Sequence, residues 1–194
     1  EIIQTPDGSQ TLQLPDQSIA FRSTQGACTE SQYVFVDGSQ LKTQTGPWKV
    51  LELGLGTGLN FAHTVKAYLD SPHAQPLIYH TVEQSPLPVF LFKQLSPTLA
   101  AVSPIAQGLL EQLLTQFENF PSSKSIVVGN EDGIQLHLHP TPWQKTNLQN
   151  LKVHAYYHDP FAPKDNPQCW TTTCFQWAKG HLAANGKLVT YAAA

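Results

Sequence analysis

Hydrophobic and polar positions fall into two regimes along the chain. From about Ser9 to Leu41, apolar and polar residues alternate over short runs, as in Gln10-Thr11-Leu12-Gln13-Leu14 and Tyr33-Val34-Phe35-Val36. A period of two predicts half-buried strands, here a hairpin or small β extension over residues 1–47. Lys42 to Pro47 is rich in turn formers and marks the boundary. Beyond it, short apolar runs alternate with helical patterns. Strands are predicted at Lys49 to Leu53, Leu77 to Val82, Ile126 to Val128, Ile134 to His139, Val153 to Tyr157 and Gly186 to Ala192. Helices are predicted from Asn60 to Leu69, from Pro86 into Leu109–Phe117 with breaks near Pro97 and Pro104, and from Trp170 to Leu182. Alternation of strand and helix predicts an α/β fold: a doubly wound, mostly parallel, Rossmann-like sheet over residues 48–194, covered on both faces.

Composition narrows this picture. The 194 residues suit a single hydrophobic core, and 41% hydrophobic against 13% charged residues excludes a disordered polyelectrolyte. A net charge of −3 provides no global basic field for nucleic acid, although the eleven Lys and Arg can still cluster on one face. Cys28, Cys169 and Cys174 form an odd, sparse set that reads as free thiols in a reducing compartment. No apolar run is long enough to cross a bilayer, and the polar N-terminus lacks a signal-peptide core, so a soluble, cytoplasmic protein is expected.

The strongest chemical signal is Glu52-Leu53-Gly54-Leu55-Gly56-Thr57-Gly58-Leu59-Asn60, which follows a strand and opens a helix. Glycines there permit positive φ and let a ligand approach the backbone where a Cβ would collide. A dinucleotide fingerprint needs glycine at position 59, which is Leu, and no Gly-Lys-Ser/Thr follows to make a P-loop. An ordinary ligand-free turn is the alternative, and three alternating glycines after an acid argue against it. Glu83, 25 residues beyond Gly58, ends the second strand, where an acid can accept hydrogen bonds from both hydroxyls of a ribose.

A second signature runs from His158 to Trp170, with Asp159, Phe161, Ala162, Pro163, Asn166, Pro167 and Trp170 in a D-x-F-[AS]-P-x-x-N-P-x-x-W pattern. Together with the E-L-G-x-G-T-G-L-N turn, Glu30 and Tyr33-Val34-Phe35 upstream, and Gly186, Thr190, Tyr191, Ala192 and Ala193 at the end, it resembles a class I S-adenosylmethionine-dependent methyltransferase. The particular resemblance is to the methyltransferase domain of the bacterial bifunctional enzyme that completes 5-methylaminomethyl-2-thiouridine at the tRNA wobble position, and to its stand-alone relatives. It runs from about Phe21 to the C-terminus. It implies S-adenosylmethionine as cofactor, held by Glu52, Gly54, Gly56, Thr57, Gly58, Asn60, Glu83 and Asp159. It further implies Asp159 and Phe161 as catalytic residues, and Glu30, Pro163, Lys164 and Trp170 against the substrate. The partners it implies are tRNA and a separate flavin-dependent oxidase.

Departures from the family pattern qualify the reading. The Lys that commonly precedes Asn-Pro is replaced by Asp165, with Lys164 one place earlier. The Gly-Asp-Ala that follows the third strand, whose Asp can bind the adenine amino group, is lacking. Asp132 can fill that role only if Ile126 to Val128 is the true third strand. The given residues reach a fifth strand without the closing antiparallel hairpin typical of the fold, and only the methyl-transfer half is expected.

Methyl transfer to an amine is an in-line displacement for which the protein mainly positions the reactants. An aminomethyl group is protonated at neutral pH, so Asp159 is expected to help it shed a proton, with capping of a turn as the structural alternative. Phe161 and Trp170 can wall the pocket or stack on a splayed base, or pack in the core. His137 with His139, and His154 with His158, share faces, but no Cys or acid joins them at ligand spacing, so no metal is expected. Two other readings stay open: a methyltransferase for a small metabolite or a protein, and a non-catalytic cofactor-binding module.

Overall fold

A computed structural model of the chain describes residues 1–13, 21, 26–72 and 75–191. It opens with an antiparallel hairpin, β1 (Ile2–Gln4) and β2 (Gln10–Leu12); β2 falls in the predicted alternation and β1 precedes it. The next segment departs from the strand prediction. Ala27–Glu30 is a helical turn (α1) that runs into a π-helix over Ser31–Asp37. Ala27, Ser31, Phe35 and Ser39 are all buried at a spacing of four, a helical period hidden under the β-like string Tyr33 to Val36. Packing won over propensity here, because Phe35 packs against Tyr157 of the main sheet, with ring centroids 5.4 Å apart. Residues 27–43 are therefore helical and join the main core.

The main unit follows as β3 (Trp48–Leu53), α2 (Leu59–Leu69), β4 (Leu77–Val82), α3 (Val89–Val102), α4 (Pro104–Asn119), β5 (Ile126–Gly129), β6 (Ile134–His139), β7 (Val153–His158), α5 (Thr172–His181) and β8 (Leu182–Thr190). Its six strands lie in the order β5-β6-β4-β3-β7-β8, parallel throughout except for β5. The central strand β3 is buried at nearly every position, including Glu52, as expected of a strand covered on both faces. One face packs on α2, α4 and the π-helix through residues such as Phe61, Val65, Leu110 and Leu113. The other face carries Leu51, Leu53 and Tyr156 under α5 and the 143–151 connection.

Pro97 does not break α3 as expected. Proline cannot donate to the carbonyl four residues back, but the Ser96 hydroxyl donates to Lys93 O at 2.8 Å and satisfies it. The break falls at Ser103-Pro104, where the Ser103 hydroxyl accepts from Ala106 N and Pro104 occupies the first helical position. Likewise α5 starts after Trp170. Trp170 ends a 3-10 turn over Pro167–Trp170, and Thr171 caps the helix by accepting from Cys174 N. The last strand begins four residues earlier than Gly186, with an irregular register opposite Val153 and Ala155; Ala192 and Ala193 lie outside the described residues. No described helix is long and apolar enough to cross a membrane.

The chain goes outward from β3 to β4 and β6, then returns to β7 and β8 on the other side of β3. Two neighbouring parallel strands whose connections leave in opposite directions open a crevice at their carboxyl ends, the switch point where α/β sheets bind ligands. That point lies between Leu53 and His158.

Candidate functional site

A cavity of about 690 Å³ occupies the crevice, a size that suits a small-molecule ligand. The strand ends are laced around it: Gly54 N donates to Val82 O, Asp159 N to Leu53 O, and Glu83 N to His139 O, each at 3.0–3.1 Å. The residues that follow β3, β4, β6 and β7 thus meet on one rim.

The three glycines of the turn have different reasons to be glycine. All have positive φ: +94° at Gly54, +53° at Gly56 and +80° at Gly58. A Cβ on Gly54 would sit 2.6 Å from Asp159 O, so this glycine lets two strand ends touch. A Cβ on Gly58 would sit 2.6 Å from Leu110 Cδ1, so this one lets α2 pack on α4. A Cβ on Gly56 would meet only the Phe21 ring, at 3.6 Å, and would project into the cavity. Gly54 and Gly56 line the cavity and Gly58 does not.

Glu83 faces this turn. Its Oε2 accepts from Leu55 N at 3.2 Å and its Oε1 from Ser85 N at 2.9 Å. Burial pushes the Glu83 carboxyl above its ordinary range, and the amides of Ser85, Gly56 and Leu55 pull it partly back. An acid fixed beside a bare backbone bend can accept from paired ribose hydroxyls.

Beneath the turn, Asn60 holds two carboxylates with one amide. Its Nδ2 donates to Glu52 Oε1 and to Asp159 Oδ2, both at 2.9 Å. Glu52 and Asn60 are fully buried, while Asp159 lines the cavity. Thr57 is buried too, so Glu52, Thr57, Gly58 and Asn60 shape the cavity floor from below and do not line it.

The acceptor-side prediction divides. Phe161, Glu30 and Lys164 line the cavity; Pro163 is exposed beside it, and Trp170 turns its indole inward. Trp170 Nε1 donates to Phe161 O at 2.8 Å and its ring meets His158 edge-on at 4.7 Å, so packing is what the structure gives it. Glu30 arrives on α1, whose start is tied down by the distant hairpin: Thr29 N donates to Asp7 Oδ2 at 3.0 Å and Cys28 N to Ser9 Oγ at 3.3 Å. Burial opposes ionisation of Asp7, but hydrogen bonds from Ser9, Thr5 and Thr29 outweigh it and hold the carboxyl well below the usual carboxylate range.

Several lining residues are not among the expected site residues. Phe21 packs edge-on against Phe161 at 5.0 Å, and Tyr191 closes the same side. Thr141 to Gln144 form the wall opposite Gly54, following β6. Because β6 pairs in parallel with β4, it is the third strand of the fold, and β5 is an added antiparallel edge. Asp132 lies in the turn before β6, at the other end of the sheet, bonded to Asn130 Nδ2 at 2.8 Å. Cys169 also lines the cavity; burial, reinforced by the nearby Glu83 charge, pushes its thiol up to about 11 and leaves it protonated. His137 and His139 stack with His80 on the sheet face. Among the described residues no group of three His, Cys, Asp or Glu is arranged to hold a metal ion.

Residues 103–194 match a family model described as S-adenosyl-L-methionine-dependent methyltransferase. The tRNA 5-methylaminomethyl-2-thiouridine biosynthesis bifunctional protein MnmC of Leptospira borgpetersenii is 29% identical over 155 residues, covering 76% of this chain and 23% of that protein. The protein of the same name from Delftia acidovorans is 26% identical over 195 residues, covering 97% of this chain and 29% of the relative. The chain therefore spans only about a quarter of the length of these relatives. The crystal structure of MNMC2 from Aquifex aeolicus superposes with a TM-score of 0.73 at 22% identity, covering all of this chain and 59% of that one; it bears on the fold. A glycine-lined crevice at the switch point thus accompanies similarity to S-adenosyl-L-methionine-dependent methyltransferases over residues 103–194 and to MnmC along nearly the whole chain, and S-adenosylmethionine is the cofactor that this similarity implies.

Proposed function

We propose that this chain is an N-methyltransferase acting on a tRNA wobble uridine that carries an aminomethyl group. The observation that carries the reading is Asp159. Its carboxylate stands on the cavity wall in backbone contact with Gly54 and is fixed through Asn60 to the buried Glu52. A carboxylate beside the methyl-donor seat is what a protonated amine needs in order to dock and lose its proton.

S-adenosylmethionine, when bound, supplies an electrophilic methyl group on a sulfonium sulfur. The chain's residues then divide the remaining work. The backbone at Gly54 and Gly56 would give room for the sugar and amino-acid parts, Glu83 would accept from the ribose hydroxyls, and Thr141 to Gln144, which line the cavity, would border the adenine. Asp159 accepts hydrogen bonds from the acceptor amine and draws off its proton, which leaves the nitrogen lone pair in line with the methyl. Phe161 and Phe21 offer aromatic faces to a splayed base. Lys164, which lines the cavity, would meet a phosphate. The bifunctional names of the relatives accord with a flavin-dependent oxidase acting on the same position, supplied by another chain or another segment.

One observation favours a second reading. Among the described residues, Glu30, Glu83, Asp159 and Asp165 line the cavity together with one cation, Lys164. Such a lining suits a small cationic amine better than a polyanion. Labelled cofactor presented with tRNA bearing aminomethyluridine, with the same tRNA already methylated, and with a panel of small amines separates the two. Label entering only the unmethylated tRNA is the expected result; label entering small amines and not tRNA rejects the RNA reading.

A further inference from the structure

The loop that carries Asp159 is short, contains Pro160, and is bonded through its backbone to the sheet by Asp159 N, which donates to Leu53 O at 3.0 Å. Two aromatic side chains from elsewhere hold its next two carbonyls. Tyr191, just past β8, donates its hydroxyl to Pro160 O at 3.0 Å. Trp170, at the end of the 3-10 turn before α5, donates its indole N–H to Phe161 O at 2.8 Å. The two donors also touch each other, with ring centroids 6.3 Å apart and planes at 89°. On the opposite side the loop backbone rests on Gly54, which has no Cβ to push it away.

We infer that Tyr191 and Trp170 are positioning residues for methyl transfer: a paired brace that fixes the Asp159–Phe161 backbone so that the Asp159 carboxylate and the Phe161 ring face the cofactor seat. The physical argument is that a carbonyl held by a directional donor cannot rotate without breaking that bond. Neither side chain can be exchanged for an apolar ring of similar size without freeing one carbonyl. Trp170 then acts from behind the acceptor loop, in place of the substrate contact that the resemblance implies. The inference rests on the methyltransferase reading, but the brace has its own observable.

The variants are Tyr191→Phe, which removes only the donor, and Trp170→Phe, which keeps an aromatic ring but removes the donor and part of the indole. Three quantities are measured on the full chain: hydrogen exchange of peptides spanning 158–166, affinity for S-adenosylmethionine by calorimetry, and kcat and KM for aminomethyl-tRNA. The brace predicts faster exchange confined to 158–166, cofactor affinity within twofold of wild type, and kcat lower by about tenfold with KM little changed, as expected when orientation is lost and binding is kept. Unchanged exchange in both variants overturns the inference, as does faster exchange with unchanged kcat. An equal loss of cofactor affinity overturns it too, since the residues would then support the whole cavity. If wild type methylates no tRNA, the RNA reading fails. In that case faster exchange confined to 158–166 with intact cofactor affinity supports the brace, and unchanged exchange rejects it.

Discussion

The two ends of the cavity are built by different means. The cofactor end is a backbone bend with an acid facing it, all supplied by β3, β4 and the start of α2 within about thirty residues of sequence. The acceptor end is assembled from Phe21, Glu30, the 159–166 loop and Tyr191, drawn from almost the full length of the chain. One end is fixed by the shape of the main chain, the other by side chains that reach across. Mutations at the first should therefore act through sterics and ligand affinity. At the second they should act through orientation and rate.

The largest effect that sharpens this contrast is expected from Asp159→Asn. The substitution keeps an oxygen for Asn60 and removes the carboxylate, so methyl transfer should fall by about 10²–10⁴-fold while cofactor affinity stays within a few fold. Parallel rate and calorimetric measurements check it; an equal loss of both would merge the two ends into one. Next comes Gly54→Ala, at the point where the two ends touch. A Cβ 2.6 Å from Asp159 O, at a φ of +94°, should lower both cofactor affinity and transfer rate along with thermal stability. A thermal melt and a binding isotherm on the same preparation decide whether all three move together.

Glu83→Gln is expected to weaken cofactor binding by about tenfold, roughly 1.4 kcal/mol, with little effect on kcat at saturation. The wild-type affinity should also decline on acidification at a pH above the ordinary carboxylate range, because burial raises Glu83 and only its ionised form accepts from both hydroxyls. The Gln variant should lose that pH dependence; a titration series over mildly acidic pH tests the point. The smallest effect concerns stability alone. Burial lowers His80 to about 3, where His137, His139 and Lys49 add to the effect, and lowers His139 and His158 to about 4. An unfolded chain binds protons at these sites from about pH 6.5 downward while the folded chain resists until about pH 4, so stability is lost progressively across that window. Urea midpoints should be lower at pH 5 than at pH 7.

The same division governs what could be read in the sequence. Glu52, Gly54, Gly56 and Glu83 announce themselves because local backbone geometry demands glycine and because a strand end demands a partner. A mostly parallel sheet covered on both faces followed from the alternation of apolar runs with helical ones. Tyr33 to Val36 misled because β-branched and aromatic residues alternate there, whereas the burial that decides their conformation comes from α2 and Tyr157, far along the chain. Pro97 misled because its compensation is a single hydroxyl, Ser96. Trp170 was placed against the ligand by its position in a signature; only the fold reveals that its indole points at Phe161 O. Phe21 and Tyr191 have no local pattern that marks a cavity wall, and their role emerges from tertiary contact. Asp132 was a candidate only while the identity of the third strand was open, and parallel pairing of β6 with β4 removes it.

The most direct measurement is a calorimetric titration of S-adenosylmethionine into Gly56→Ala and Gly58→Ala side by side with wild type. A methyl group at 56 points into the cavity, while one at 58 strikes Leu110 in the core. Cofactor binding should be lost or severely weakened at 56 with the fold intact, and retained at 58 in a chain that melts earlier. Wild-type affinity in Gly56→Ala would contradict the placement of the cofactor over this bend.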